Sequence, residues 1–159
     1  MSIKDGATPA LGSSAPDFVL SDVHGTRLSR GDLRGSPALL VFYPFAFTGI
    51  CSNELSELRE NLPQFEAAGV RVVAVSCDPV PALKAWDADQ DFGFDLLSDF
   101  WPHGEVAQAF GVFDSAAGRA HRGSFLLDGE GVVRWSVVNE PGQARPMADY
   151  LEAITALTT

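Results

Sequence analysis

Residues 38–54 read Ala-Leu-Leu-Val-Phe-Tyr-Pro-Phe-Ala-Phe-Thr-Gly-Ile-Cys-Ser-Asn-Glu. The first six, Ala38–Tyr43, form a continuous apolar run of strand length. A strand apolar on both sides belongs in a sheet covered on both faces. Arg71–Ser76 (RVVAVS) is a second such run. Between them Leu55, Leu58, Leu62 and Phe65 recur at helical spacing, with Glu54, Glu57, Arg59 and Glu60 on other faces. Pro63 kinks or divides this helix, and Gly69 stops it. Strand, helix and strand make a right-handed βαβ unit.

Outward from that unit, Asp17–Ser21 and Thr26–Ser29 flank a turn at Asp22-Val23-His24-Gly25, which reads as a hairpin. Residues 31–37 form a loop. Pro81–Gln90 reads as a second helix and Glu105–Phe110 as a short helical turn closed by Gly111. Ser124–Leu127 and Val132–Val137 read as strands about the turn 128–131, and Pro146–Leu157 as a closing helix. This order predicts an α/β chain with a mixed central sheet and helices on both faces. It is the thioredoxin-like arrangement with an added N-terminal β-hairpin. Residues 1–14 are expected to be a flexible lead-in, and 15–159 a single domain.

Composition narrows the function. The 159 residues carry 11 Lys and Arg against 21 Asp and Glu, a net charge of −10. No basic cluster offers a footprint for nucleic acid or an anionic membrane. No apolar run reaches about 18 residues and no signal-like core opens the chain, so a cytoplasmic protein is expected. Two cysteines, Cys51 and Cys77, are too few for a disulfide scaffold or a four-thiolate zinc site. His24, His103 and His121 complete no ligand spacing, so no metal or other cofactor is expected.

Cys51 falls in the first turn of the helix that follows the Ala38–Tyr43 strand. Sites in open α/β sheets gather beyond the carboxyl ends of the strands. Free N–H groups and the dipole at a helix start favour a thiolate. Thr48, three residues earlier, can set its hydroxyl beside the sulfur, to donate to it or to a bound oxygen. Pro44 removes an N–H and stiffens the entry, which shields the pocket from water. The competing reading of Cys51 is a small buried hydrophobe.

Pro44-x-x-x-Thr48-x-x-Cys51 resembles the active-site signature of the peroxiredoxins, thiol peroxidases of the thioredoxin superfamily. The resemblance extends to Ala15-Pro16-Asp17-Phe18, Leu97-Ser98-Asp99 and Arg122-Gly123-Ser124-Phe125-Leu126-Leu127-Asp128. Residues 45–51, with Asp99-Phe100-Trp101-Pro102-His103-Gly104, resemble in particular the one-cysteine alkyl hydroperoxide reductase E type. By that resemblance Cys51 is the peroxidatic cysteine, Thr48 orients the peroxide, Pro44 shields the site and Arg122 lies beside the sulfur. Glu54 matches a glutamate that braces this arginine, and Arg145 more weakly a second bracing arginine. The resemblance implies reduction of hydrogen peroxide or organic hydroperoxides through a Cys51 sulfenic acid. It also implies a homodimer built through loops.

Position 56, where some members carry a resolving cysteine, is a serine, and no cysteine follows Cys77. That leaves recycling by an external thiol: thioredoxin, a glutaredoxin-like protein or a low-molecular-weight thiol. Cys77 is either a core cysteine at the end of RVVAVS or a resolving partner for Cys51. The latter needs Cα atoms within about 7 Å or local unfolding. Phe45, Phe47, Phe100, Trp101 and Phe110 are read either as core or as an aromatic rim to the pocket or a dimer contact. The 87–91 acidic run is read as a solvated helix face. Two other functions compete. A thiol-disulfide oxidoreductase needs Cys-x-x-Cys, but Thr48 fills the first position. A redox-sensing or chaperone-like module switched by Cys51 oxidation has no need of Thr48.

Overall fold

The computed structural model describes residues 4–5 and 7–158. Among the described residues ten strands occur: β1 (Lys4–Asp5), β2 (Val19–Ser21), β3 (Arg27–Ser29), β4 (Ala38–Phe42), β5 (Arg71–Ser76), β6 (Asp95–Ser98), β7 (Phe113–Asp114), β8 (Arg119–Ala120), β9 (Arg122–Leu127) and β10 (Val133–Asn139). The helices are α1 (Gly49–Glu60), α2 (Leu62–Ala67), α3 (Val80–Gln90), α4 (Glu105–Ala109) and α5 (Met147–Thr158). A seven-stranded mixed sheet runs in the order β10-β9-β4-β5-β6-β2-β3. β4, β5 and β6 are parallel, whereas β9 lies antiparallel to β4 and β2 antiparallel to β6. A small second sheet joins β1, β7 and β8.

β4 is buried at all five positions, as its unbroken apolar run requires. Successive side chains point to opposite faces. Leu39 and Val41, with Val72 and Ala74 of β5, join the cluster that holds Leu55, Phe65, Trp86 and Ile154 of α1, α2, α3 and α5. Ala38, Leu40 and Phe42, with Val73 and Val75, join the cluster built on Val106, Ala107 and Phe110 around α4. The sheet is thus covered on both faces, and α1 departs from the carboxyl end of β4, a strand buried throughout.

The helix predicted across 55–65 is divided as Pro63 demands. α1 ends at Glu60, and α2 restarts with Pro63 in its first turn, where a missing N–H costs nothing. Gly25 and Gly69 both adopt positive φ, at the hairpin turn and at the helix stop. β6 was not expected from the sequence. Its four residues Asp-Leu-Leu-Ser are short and flanked by phenylalanines, and pairing with β5 decides their conformation. Within the expected lead-in, β1 pairs with β7 and the Gly12 N–H donates to the Val133 carbonyl; just beyond it, the Ala15 N–H donates to the Gly131 carbonyl. Residues 1–3 and 6 of that segment lie outside the described residues. Among the described residues no helix is long and apolar enough to cross a membrane.

Phe110 belongs to the core and not to a rim. It is fully buried, with its ring 5.2 Å from Phe42 and 5.0 Å from Phe125. Phe125→Ala removes the ring on which β4, β9 and α4 converge. It is expected to cost about 3–5 kcal/mol, read as a lowered urea midpoint with the slope unchanged.

Candidate active site

The chain turns from β4 into α1 through Pro44–Thr48. Phe47 takes φ 64°, a left-handed conformation uncommon for a bulky residue, and this reverses the chain ahead of the helix. Two hydrogen bonds hold the turn. The Ala46 N–H donates to Asp78 Oδ2 at 2.8 Å, and Thr48 Oγ1 donates to the Phe45 carbonyl at 2.7 Å. Asp78 is fixed in turn by the Ser76 hydroxyl at 2.7 Å. The Thr48 hydroxyl proton is therefore engaged with Phe45, and not directed at sulfur or a bound oxygen as the spacing suggested. Only the hydroxyl's lone pairs are left to meet a ligand.

Thr48 is the N-cap residue of α1, and its carbonyl accepts the first helical bond, from the Ser52 N–H at 2.8 Å. The N–H groups of Gly49, Ile50 and Cys51 precede that bond and sit at the positive end of the dipole. Cys51 is the third residue of α1. Its side chain is fully buried, in the same cluster as Val41, Tyr43, Leu55 and Tyr150.

One turn further, Glu54 projects into a buried charge cluster. Its Oε1 accepts hydrogen bonds from Arg122 Nη1 and, at 3.0 Å, from Arg145 Nη2. Its Oε2 accepts from the Arg145 backbone N–H at 2.7 Å and from Arg145 Nε at 3.1 Å. Arg145 Nη1 reaches the Phe42 and Gly123 carbonyls and the Ser124 hydroxyl at 2.7, 2.9 and 2.9 Å. Ser124 in turn bonds the Tyr150 hydroxyl at 2.8 Å. Arg122 Nε donates to the Pro141 carbonyl at 2.6 Å. Both arginines are 3% exposed, so neither charge is left to solvent. Among the described residues no hydrogen bond engages Arg122 Nη2.

Burial alone would push the Glu54 carboxyl up. Hydrogen bonds and charge from Arg145, joined by the charge of Arg122, outweigh it and hold the carboxyl below the usual glutamate range. Burial would likewise discharge Arg145, but Tyr150, Glu54 and Cys51 keep its guanidinium charged. Cys51 is therefore within electrostatic reach of Arg145. With Glu54 ionised the trio carries net +1, which one thiolate neutralises.

Above the first turn of α1 lies a cavity of about 320 Å³, lined by Pro44, Phe45, Thr48, Arg119 and Arg122 among others. Cys51, fully buried, is not in this lining. Pro44, which is, is itself buried. The structure thus gathers Thr48, Pro44 and Arg122 at one cavity, with Glu54 and Arg145 behind it. A larger cavity, about 470 Å³, lies at the amino ends of β5 and β6, lined by Asp32, Arg34, Arg71 and Asp95. It holds no cysteine and lies away from the chemistry.

Cys77 follows β5 directly and is 4% exposed. Burial, then the nearby Asp99 and Asp78, push its thiol up to about 12. Burial also lifts Asp99 to about 6, against the pull of hydrogen bonds from the Ala107 and Val106 N–H groups. Cys51 and Cys77 are both free thiols. His103 donates from Nε2 to the Gly118 carbonyl at 2.7 Å. Among the described residues no group of three His, Cys, Asp or Glu side chains is placed to hold a metal.

Sequence reasoning missed Arg119, Ser124, Tyr150 and Asp78. An arginine three positions before Arg122 was a readable signal. The polar contacts of Ser124 and Tyr150 had none, because both residue types are ordinary in a strand and a helix.

Residues 11–136 match the model of the AhpC/TSA family. The alkyl hydroperoxide reductase E of Mycobacterium tuberculosis is 45% identical over 149 residues, 93% of this chain and 97% of that protein. The alkyl hydroperoxide reductase C of Staphylococcus aureus is 33% identical over 133 residues, 81% of this chain and 69% of that protein. The crystal structure of Enterococcus faecalis AhpC superposes with a TM-score of 0.85 at 28% identity, covering 92% of this chain and 91% of the other.

Glu54→Gln leaves two buried guanidinium groups without their counter-charge and is expected to destabilise by about 3–5 kcal/mol at pH 7. Because the Glu54 carboxyl is depressed in the folded state, its contribution is complete above the unfolded value of about 4.3. It is lost as pH falls through the folded value. The difference in urea midpoint between wild type and Glu54→Gln should stay constant from pH 7 to about 5 and shrink in more acid solution.

Proposed function

The chain belongs to the AhpC/TSA family, and from that premise we propose that it is a thiol-dependent peroxidase reducing hydrogen peroxide or organic hydroperoxides at Cys51. One observation carries this reading. Cys51, fully buried in the first turn of α1, lies within electrostatic reach of Arg145, which the Glu54 carboxylate joins to Arg122, and Arg122 lines the cavity above that turn.

The Cys51 thiolate attacks one peroxide oxygen in line with the O–O bond. The sulfur–oxygen bond forms as the O–O bond breaks. The leaving oxygen takes a proton and departs as alcohol or water, and Cys51 becomes a sulfenic acid. Arg122 Nη2 donates to the oxygens as charge moves between them. Thr48, its proton engaged with Phe45, accepts the hydroperoxide O–H and so fixes which oxygen faces the sulfur. N–H groups of the first helical turn stabilise the developing anion. Glu54 and Arg145 are positioning residues that act through Arg122 and through the field at the sulfur. Peroxide reaches the buried sulfur when the 44–50 loop gives way or Cys51 turns toward the cavity.

An external thiol then attacks the sulfenic acid, releasing water and leaving a mixed disulfide. A second thiol displaces Cys51 as thiol and leaves with the first as a disulfide. Thioredoxin, a glutaredoxin-like protein or a low-molecular-weight thiol fits this role. Cys77 does not resolve Cys51 in this scheme, since a thiol raised to about 12 is protonated at neutral pH and a poor nucleophile. We assign the protein to the cytoplasm and to a homodimer. Phe47, Phe100 and Trp101, exposed by 57%, 47% and 82%, supply apolar loop surface for the contact. A disulfide-exchange role is not favoured, because Thr48 stands where a second active-site thiol would be required.

Cys51→Ser should consume no peroxide in stopped-flow, while Cys77→Ser should retain wild-type turnover with an external thiol. One equivalent of peroxide should add one oxygen, about 16 Da. A loss of two hydrogens, about 2 Da, would instead mark an intramolecular disulfide. Thr48→Val should slow Cys51 oxidation about 10²-fold with little change in its reduction by thiol.

A further inference from the structure

Arg119 shares the cavity above α1 with Arg122, yet the two guanidinium groups are differently placed. Arg122 is held against Glu54, which offsets its charge. Arg119 enters no ion pair among the described residues. It stacks over the Phe45 ring, with its guanidinium carbon 5.9 Å from the centroid, a contact that fixes direction without neutralising charge. Its Nε is buried without a hydrogen-bond partner. The cavity thus presents one buried cation ion-paired to Glu54 and a second, more exposed one that enters no ion pair among the described residues, with Asp114 opposite it in the β7–β8 register.

The two arginines are three residues apart on adjoining short strands, so their Cα atoms are separated by at most about 10 Å. The walls between them include Pro44, Phe45, Ile50 and Pro141, and the cavity of about 320 Å³ far exceeds the share of one or two waters. Such a site suits a molecule with a peroxide at one end, a carbon skeleton in the middle and an anion at the other. The chain's net charge of −10 repels anions at a distance. Within a Debye length of about 8–10 Å the local cation prevails.

Resting on the peroxidase reading, we propose that Arg119 is a specificity-determining residue, selecting organic hydroperoxides that carry a carboxylate over neutral hydroperoxides of the same skeleton. The carboxylate meets the Arg119 guanidinium while the hydroperoxide lies between Thr48 and Arg122.

The test compares two probes by single-turnover oxidation of Cys51. One is a tertiary alkyl hydroperoxide bearing a carboxylate about six carbons away, a length that stays within the upper limit of about 10 Å on the Cα separation. The other is its methyl ester. The acid should react about fivefold faster than the ester in wild type, the effect of one partly exposed ion pair. The ratio should approach one in Arg119→Gln, survive in part in Arg119→Lys, and fall as salt is raised. Reading a ratio within each variant cancels any general loss of activity. Equal rates for acid and ester in wild type, or a ratio unchanged in Arg119→Gln, would overturn the inference. So would a defect of Arg119→Gln confined to peroxymonosulfate, which would assign Arg119 to compact inorganic anions. Wild-type hydrogen peroxide reduction runs alongside. Its absence would overturn the peroxidase reading, and the Arg119 inference with it, whereas its presence with equal acid and ester rates sinks the inference alone.

Discussion

Glu54 is the residue on which the site turns. A carboxylate 8% exposed, holding two guanidinium groups that are 3% exposed, is costly to desolvate. It persists because nearly every polar atom has a partner: four hydrogen bonds to the carboxylate, and beyond it three acceptors for Arg145 Nη1 and one for Arg122 Nε, besides the Ser124–Tyr150 bond. The sum of charges matters as much. Two cations and one anion leave +1 in a low-dielectric interior, and Cys51 lies within electrostatic reach of it, so the arrangement that is expensive to build also sets a positive field near that sulfur.

The sheet order explains how residues so distant in sequence meet. β4 delivers the chain to α1, and hence Cys51 and Glu54, at its carboxyl end. β9 lies antiparallel beside β4, so its first residue, Arg122, arrives at that same end. Arg145 comes from the loop leading into α5 and inserts between β4 and β9, bonding the carbonyls of Phe42 and Gly123. One guanidinium therefore both bonds the carbonyls where two strands part and acts electrostatically on Cys51. Stability and chemistry are joined at this point, and a change that loosens one loosens the other.

The parts of this arrangement differ in how openly the sequence displays them. β4 is an unbroken apolar run, β5 is apolar through its four central residues, and α1 carries a helical stripe that ends ahead of Pro63, so the place of Cys51 at a strand-to-helix junction was plain. β6, β7 and β8 are too short to carry a pattern and exist through their pairing partners. The Thr48 hydroxyl was expected at the sulfur. The left-handed Phe47 turns the Phe45 carbonyl into its reach instead, and no residue spacing encodes that reversal. Phe110 read by itself as core, and as rim only in company with the other loop aromatics; the structure puts it in the core. Arg145 lies 91 residues from Glu54, so their pairing is a property of topology that spacing along the chain does not reveal.

The most direct test of the charge-cluster account is the bimolecular rate of Cys51 oxidation by hydrogen peroxide in Glu54→Gln, measured by stopped-flow where circular dichroism shows the fold retained. If Glu54 aims Arg122 and sets the field at the sulfur, the rate falls about 10²-fold, as expected for a misplaced catalytic group. A folded variant that reacts as fast as wild type would contradict the account.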